Sequence, residues 1–203
     1  MRRLTMLTIC LVALASFMAT TAWAQSVHFK HGSPQSTDNG LTLTVFGALS
    51  GLGNGDLRLR VTASANPTAD CCNPGSACKV PGQNPAAATV TSGVEVIPGS
   101  QIKNGTTPFT DTTDPPTTPI AGAPQCPNSS WTENITDMAF TQAGLRLQQE
   151  SGGVFTDVLA ACVTYSPATS DGAVSSANFS VFVGVFTGGP VGSCPVGLFP
   201  AFD

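Results

Sequence analysis

Two stretches near the front of the chain, LTLTVFG at 41–47 and LRLRVTA at 57–63, alternate apolar and polar residues with a period of two. A strand that buries one face and wets the other has this pattern, whereas a helix needs apolar residues three and four apart. Between them runs GALSGLGNGD, whose Asn54-Gly55 pair accepts the positive φ angles of a tight turn. Residues 41–65 therefore read as a β-hairpin. Later segments follow the same grammar. ATVTSGVEVI at 88–97 is β-branched with a glycine interruption that reads as a bulge. Residues 131–141, 144–149 and 154–165 read as three more strands, punctuated by Gly144 and Gly152-Gly153. NFSVFVGVF at 178–186 is apolar on both faces, as in a central strand or one covered by a partner. The best helical candidate, TQAGLRLQQE, alternates at Leu145 and Leu147 instead. The expected fold is all-β: a single β-sandwich, jelly-roll-like or immunoglobulin-like, of about seven to nine strands with disulfide-stapled long loops.

The front of the chain reads as a leader. Arg2 and Arg3 precede an apolar run from Leu4 to Met18, and Ala22-Trp23-Ala24 fits a small-x-small cleavage site, so the mature chain is expected to start at Gln25. Cys10 lies inside the apolar run behind Ile9, a poor match to a lipid-attachment signal, and leaves with the leader. The run is short for a membrane span, and no membrane insertion is expected after cleavage. The domain plan is then a signal peptide at 1–24, an N-terminal arm at 25–39 and a sandwich at 40–203. The mature chain keeps six basic against twelve acidic residues, a formal charge of −6. A nucleic-acid partner needs a basic face for its phosphates, and scattered cations do not supply one. Secretion, to the medium or to a surface fibre, is the expected location.

The mature cysteines are Cys71, Cys72, Cys78, Cys126, Cys162 and Cys194. An even count behind a leader points to disulfides. Zinc is disfavoured because the spacing C-C-x5-C is not a paired ligand motif and the two histidines, His28 and His31, lie far away in sequence. No redox C-x-x-C pair occurs. Adjacent cysteines rarely bond to each other, so one of Cys71 and Cys72 is expected to reach Cys78, the other Cys126, and Cys162 to pair with Cys194. The turns Asn73-Pro74-Gly75 and Pro81-Gly82-Gln83-Asn84-Pro85 suit a long pinned loop.

Several segments together resemble a known family: GLTLTVFGALSGLGNGDLRLRVTA, then C-x-N-P-G and PGQNP, then CPNSSWTENITDMAFTQAGLRLQQ. They look like small secreted bacterial β-sandwich proteins of largely unknown function, over residues 40–150. A fainter likeness, of architecture more than motif, is to β-sandwich subunits that polymerise into extracellular fibres. No catalytic residues come with the resemblance. Its first cysteine sits where Cys72 does and a later one where Cys126 does, before Trp131, which implies Cys72–Cys126 and leaves Cys71 to Cys78.

Catalytic motifs are sparse. Ser76-Ala-Cys-Lys79 and Ser100-Gln-Ile-Lys103 match S-x-x-K but lie in Pro/Gly-rich loops without companion motifs. No G-x-S-x-G elbow occurs, and Glu95, Glu133 and Glu150 have no special context. Asp38-Asn39-Gly40 and Asn54-Gly55-Asp56 could offer oxygens to calcium, but turn formation is sufficient reason for them. An enzyme is not expected, nor a cofactor or metal.

Residues 104–125, NGTTPFTDTTDPPTTPIAGAPQ, read as an extended Thr/Pro loop outside the sheets, with Thr112, Thr113, Thr117 and Thr118 as candidate O-glycan carriers. Sequons stand at Asn104, Asn128, Asn134 and Asn178, in only slight excess over chance. The arm QSVHFKHGSPQSTDN combines a short alternating strand, with Val27, Phe29 and His31 on one side, and a polar tether. That combination suits β-strand addition to the next subunit, although the strand could equally pair within its own sandwich. The leading expectation is a structural subunit of an extracellular filament, with itself as partner. The alternative is a monomeric adhesin or carbohydrate-binding module using loops 66–87 and 104–130 with Trp131, its partners glycans. An unrecognised hydrolase ranks last.

Overall fold

The computed structural model describes residues 27–79, 85–119, 126, 129–174, 179–183, 194 and 197–202. The strands are β1 (His28–Phe29), β2 (Gln35–Asp38), β3 (Leu43–Ser50), β4 (Leu57–Cys72), β5 (Cys78–Lys79), β6 (Ala88–Thr91), β7 (Glu95–Ile97), β8 (Thr107–Thr112), β9 (Thr132–Ser151), β10 (Val154–Thr164), β11 (Gly172–Ala173) and β12 (Ser180–Val183). They form two antiparallel sheets. In the smaller sheet β8 lies along one side of β3; β1 and β2 follow one another along the other side, and β11 adds to β2. In the larger sheet the order is β12-β10-β9-β4, with β7, β6 and β5 end to end along the remaining side of β4. Tandem segments share a lane, so four lanes face five, and the all-β sandwich expected from the alternation is the fold. Among the described residues no helix is long and apolar enough to cross a membrane.

Inward side chains of both sheets make one core. Leu43, Val45, Leu49 and Phe109 come from the smaller sheet, and Leu57, Leu59, Val61, Met138, Phe140, Leu145, Leu147 and Leu159 from the larger. Each such side chain, fully buried, contributes roughly 1.5–3 kcal/mol relative to exposure.

The β4–β9 pair is the spine, and its register explains why the later strands were hard to read. β9 (Thr132–Ser151) is one strand where two, at 131–141 and 144–149, were expected. Register slips at two places leave Thr136 and Thr141 as extra residues on β9. Each bulge flips side-chain parity, so Ile135, then Met138 and Phe140, then Ala143, Leu145 and Leu147 all face the core. Their β4 partners are Ala69, Pro67, Ala65, Ala63, Val61 and Leu59, an unbroken run of alternate residues. The bulged threonines donate to β4 carbonyls, Thr136 Oγ1 to Thr68 O at 3.2 Å and Thr141 Oγ1 to Ser64 O at 3.1 Å. Gly144 is not punctuation but mid-strand.

Four other expectations are corrected. First, residues 41–65 are not a hairpin: β3 and β4 lie in different sheets, and 51–56 carries the chain between them. Asn54-Gly55 turns the chain for close packing. A Cβ on Gly55 would stand 2.0 Å from the carbonyl oxygen of Glu150, and one on Gly99 2.0 Å from that of Asn54. Second, the Thr/Pro stretch contributes β8, with Thr107 and Phe109 buried. Pro108 faces outward opposite Ala48 on a sheet-edge lane, where a missing N–H is tolerated. Third, the polar tether contains β2, whose inward positions are Ser36 and Asp38. Fourth, of the two alternatives for 178–186, a central strand or one covered by a partner, the first falls, because β12 ends the larger sheet among the described residues. Phe179 packs on the main core and Phe182 on the opposite face of the sheet, which accounts for its two apolar sides; the rest of 178–186 lies outside the described residues.

The disulfides are Cys71–Cys126, Cys72–Cys78 and Cys162–Cys194. The last is as expected; the first two reverse the assignment of the adjacent cysteines. Strand geometry is the reason. Successive side chains point to opposite faces, and Cys71 shares the inward parity of Leu57 to Ala69, so it is buried and meets Cys126. Cys72 points outward and lies directly opposite Cys78 across the β4–β5 ladder. Three bridges are consistent with folding in an oxidising environment.

Candidate functional site

The two long edges of the sandwich differ. At one, β8 of the smaller sheet bends onto the β6–β7 lane of the larger. Asp111, on β8, accepts hydrogen bonds from Val61 N at 3.0 Å and Ser92 Oγ at 2.6 Å. Asp114 N donates to Thr91 O at 3.2 Å, so backbone as well as side chain crosses the seam. Burial pushes the Asp111 carboxyl up to about 6, against the hydrogen bonds from Ser92, Thr112 and Val61 and with a contribution from Glu95. This edge is sewn shut.

At the other edge the sheets part. A groove of about 760 Å³ opens there, lined by His28 to Ser36 and Val174 on one wall and by Phe179 and Val181 on the other. Val181 is 41% exposed. The first wall is the N-terminal strand. Val27 is buried, and Phe29 packs on the core with its ring centroid 5.9 Å from that of Phe109. His28 pairs with Ser50 and Phe29 with Leu49, and Lys30 N donates to Ala48 O at 2.9 Å. The chain then leaves the ladder through a turn at His31-Gly32, where Gly32 has φ 80°, and re-enters it as β2. His31 is exposed at that turn and does not share the core position of Val27 and Phe29, so the three-residue face expected of a donor strand shrinks to two.

Below the groove sits a buried polar chain. Ser36 Oγ and Tyr165 Oη are 2.9 Å apart, and Asp38 accepts from Gly40 N at 2.9 Å and from the Thr169 hydroxyl. Burial raises the Asp38 carboxyl, with the Thr169 and Gly40 bonds pulling the other way, and desolvation pushes the Tyr165 hydroxyl up to about 12. These partners let a strand with polar inward residues stay buried. They also give Asp38 the turn-forming role that competed with calcium binding.

The remaining sequence-derived sites are scattered. Asn104 is exposed in the turn before β8, with φ 52°, and Asn134 is exposed on β9; Asn128 and Asn178 lie outside the described residues. Thr112, Thr117 and Thr118 are exposed. Thr113 is not a glycan carrier as it stands: it is 2% exposed and its Oγ1 accepts from Leu43 N at 3.0 Å. The S-x-x-K lysines do not face their serines as a catalytic pair would: Ser76 and Lys79 are exposed, and Lys103 Nζ donates to the Ser100 carbonyl. Among the described residues no group of three or more potential metal ligands converges. Sequence reasoning found the N-terminal strand and β12 but not that they face each other across one groove. Comparison of the chain with family models, with curated proteins and with solved structures gave no match.

Proposed function

We propose that the protein is a structural subunit of an extracellular assembly in which the N-terminal strand of one copy fills the open edge of the next. The observation carrying this reading is how lightly β1 is held at a place it fills well. Its ladder to β3 is short, two pairs and the Lys30 bond, yet Val27 is buried and Phe29 reaches the core. The turn at His31-Gly32 is the hinge. Swinging β1 into a neighbour would remake the same contacts against the neighbour's Ser50 and Leu49. Exchange then costs association entropy and hinge opening, not lost packing. A one-way exchange is head-to-tail and propagates into a filament, whereas a reciprocal one closes into a dimer.

The register supplies the test. His28 and Ser50 are direct cross-strand partners, so the full chain carrying His28→Cys and Ser50→Cys should, after oxidation, run as a covalent ladder on a non-reducing gel. The same preparation should show filaments in negative stain. A disulfide-closed monomer as the sole product overturns the reading. A monomeric binding module is the second reading, and the groove itself favours it, being within the roughly 300–1,000 Å³ usual for ligand sites. Monomers that retain a defined glycan on an array would replace the first reading by the second.

A further inference from the structure

The three disulfides stand in different surroundings. Cys162 and Cys194 are both buried, packed with Leu198. Cys71 is buried at the end of the inward row of β4, and its partner Cys126 is half-buried. Cys72 and Cys78 lie on the outer side of the β4–β5 ladder, the first half-buried and the second exposed. Thiol–disulfide exchange begins with attack of a thiolate on a bridge sulfur, so its rate depends on access from solvent. Of the three bridges, Cys72–Cys78 is the one that faces water.

The same bridge adds least to the fold. It spans a sequence separation of 6 residues, against 55 for Cys71–Cys126 and 32 for Cys162–Cys194. A cross-link restricts the unfolded chain less as its loop shortens. Moreover, the short loop is held by hydrogen bonds of its own. Ser76 N donates to Asn73 O at 2.8 Å, Asn73 N to Ala77 O at 3.0 Å, and Ala77 N to Asn73 Oδ1 at 3.0 Å. Cys71–Cys126 anchors the end of β4 from the opposite face. With Cys72–Cys78 open, this turn would keep the two sulfurs opposite each other, so closing again is a local step. A freed Cys72 thiolate points away from the Cys71–Cys126 bridge, because neighbouring strand residues face opposite sides, and that separation opposes scrambling.

We propose that Cys72–Cys78 is a reversible modification site for low-molecular-weight thiols, while the other two bridges are structural. One thiolate bonds to a sulfur of the bridge, and the other bridge sulfur leaves as a thiolate that takes a proton from water. A second thiolate then attacks the small-thiol sulfur of this mixed disulfide, releasing the oxidised thiol dimer and the second cysteine. Two electrons thus pass from two thiols to the bridge, and the oxidised dimer reverses both steps. This chemistry is independent of the strand exchange at the groove. The test incubates the folded full chain with reduced glutathione, traps free thiols with N-ethylmaleimide at intervals and maps them by peptide mass. Free thiol or glutathione adduct is expected at Cys72 and Cys78 about tenfold faster, or more, than at Cys71, Cys126, Cys162 and Cys194. The circular dichroism should stay unchanged, and oxidised glutathione should restore the bridge. A Cys72→Ser, Cys78→Ser chain should fold with the other two bridges and acquire no adduct over the same interval. Equal rates at the three bridges, earlier opening of either of the others, no reaction while the chain is folded, or unfolding on loss of Cys72–Cys78 each overturns the proposal.

Discussion

The closed and open edges of this sandwich are built from similar strands and held by different means. At the closed edge a carboxylate, a serine hydroxyl and main-chain donors cross between sheets, and the linking turns stack so tightly that glycine is required at 55 and 99. At the open edge β1 contributes apolar side chains and two ladder pairs to β3, and the groove separates it from Phe179 and Val181 at β12. A strand held by a two-pair ladder and apolar packing opens more easily than a seam in which side-chain and backbone hydrogen bonds both cross. Under the strand-exchange proposal, the open edge is the one lent to a partner.

The largest effect should come from breaking the 51–56 crossing that joins the two sheets. Gly55→Ala sets a methyl against the Glu150 carbonyl, and neither backbone can yield without moving β9, so a loss of about 3 kcal/mol or more is expected in urea unfolding. Removing packing at the open edge by Phe29→Ala should cost about 2 kcal/mol, less than a fully buried phenylalanine because the ring is half-buried. Under the strand-exchange proposal it should also abolish filaments while the melting transition stays cooperative.

Asp111 makes the closed edge pH-sensitive. Its folded value of about 6 lies above the ordinary 3.8, so the native state binds the proton more tightly than the unfolded chain does. This group's contribution therefore improves as pH falls from 7 toward 4. Asp111→Asn should be more stable than wild type at pH 7 by about 1–2 kcal/mol, with allowance for the partial exposure of the carboxyl, and the advantage should vanish near pH 4. Chemical denaturation at both pH values reads this directly. The smallest perturbation compares the edges without mutation: under native-state hydrogen exchange, the Phe29 and Lys30 amides should exchange faster than those of β8.

Strand character was legible wherever inward positions are apolar, as in β3 and the first half of β4. It was hidden where they are polar: Ser36 and Asp38 made β2 look like a tether, and Thr107 and Asp111 made β8 look like a loop. Burial of those residues depends on Tyr165, Thr169 and Ser92, which are distant in sequence. The pairing of Cys71 and Cys72 was closer to reach. Carrying the alternation of Leu57, Leu59 and Val61 forward through β4 places Cys71 inward and Cys72 outward, and the resemblance pointed the other way.

By itself the sequence determined that the chain is built of strands and cross-linked by disulfides, because alternation is a local property and an even set of cysteines needs no partner assignment to be recognised. Tertiary structure alone decided which sheet each strand joins. A period-two pattern says that one face is buried but not against what, and the 51–56 crossing sends two matching strands to opposite layers. It also decided the course of β9, since each bulge reverses parity and only the ladder to β4 shows where. The open groove belongs to the same class of fact: residues 28–36 and Val174 on one side meet Phe179 and Val181 on the other, from distant parts of the chain.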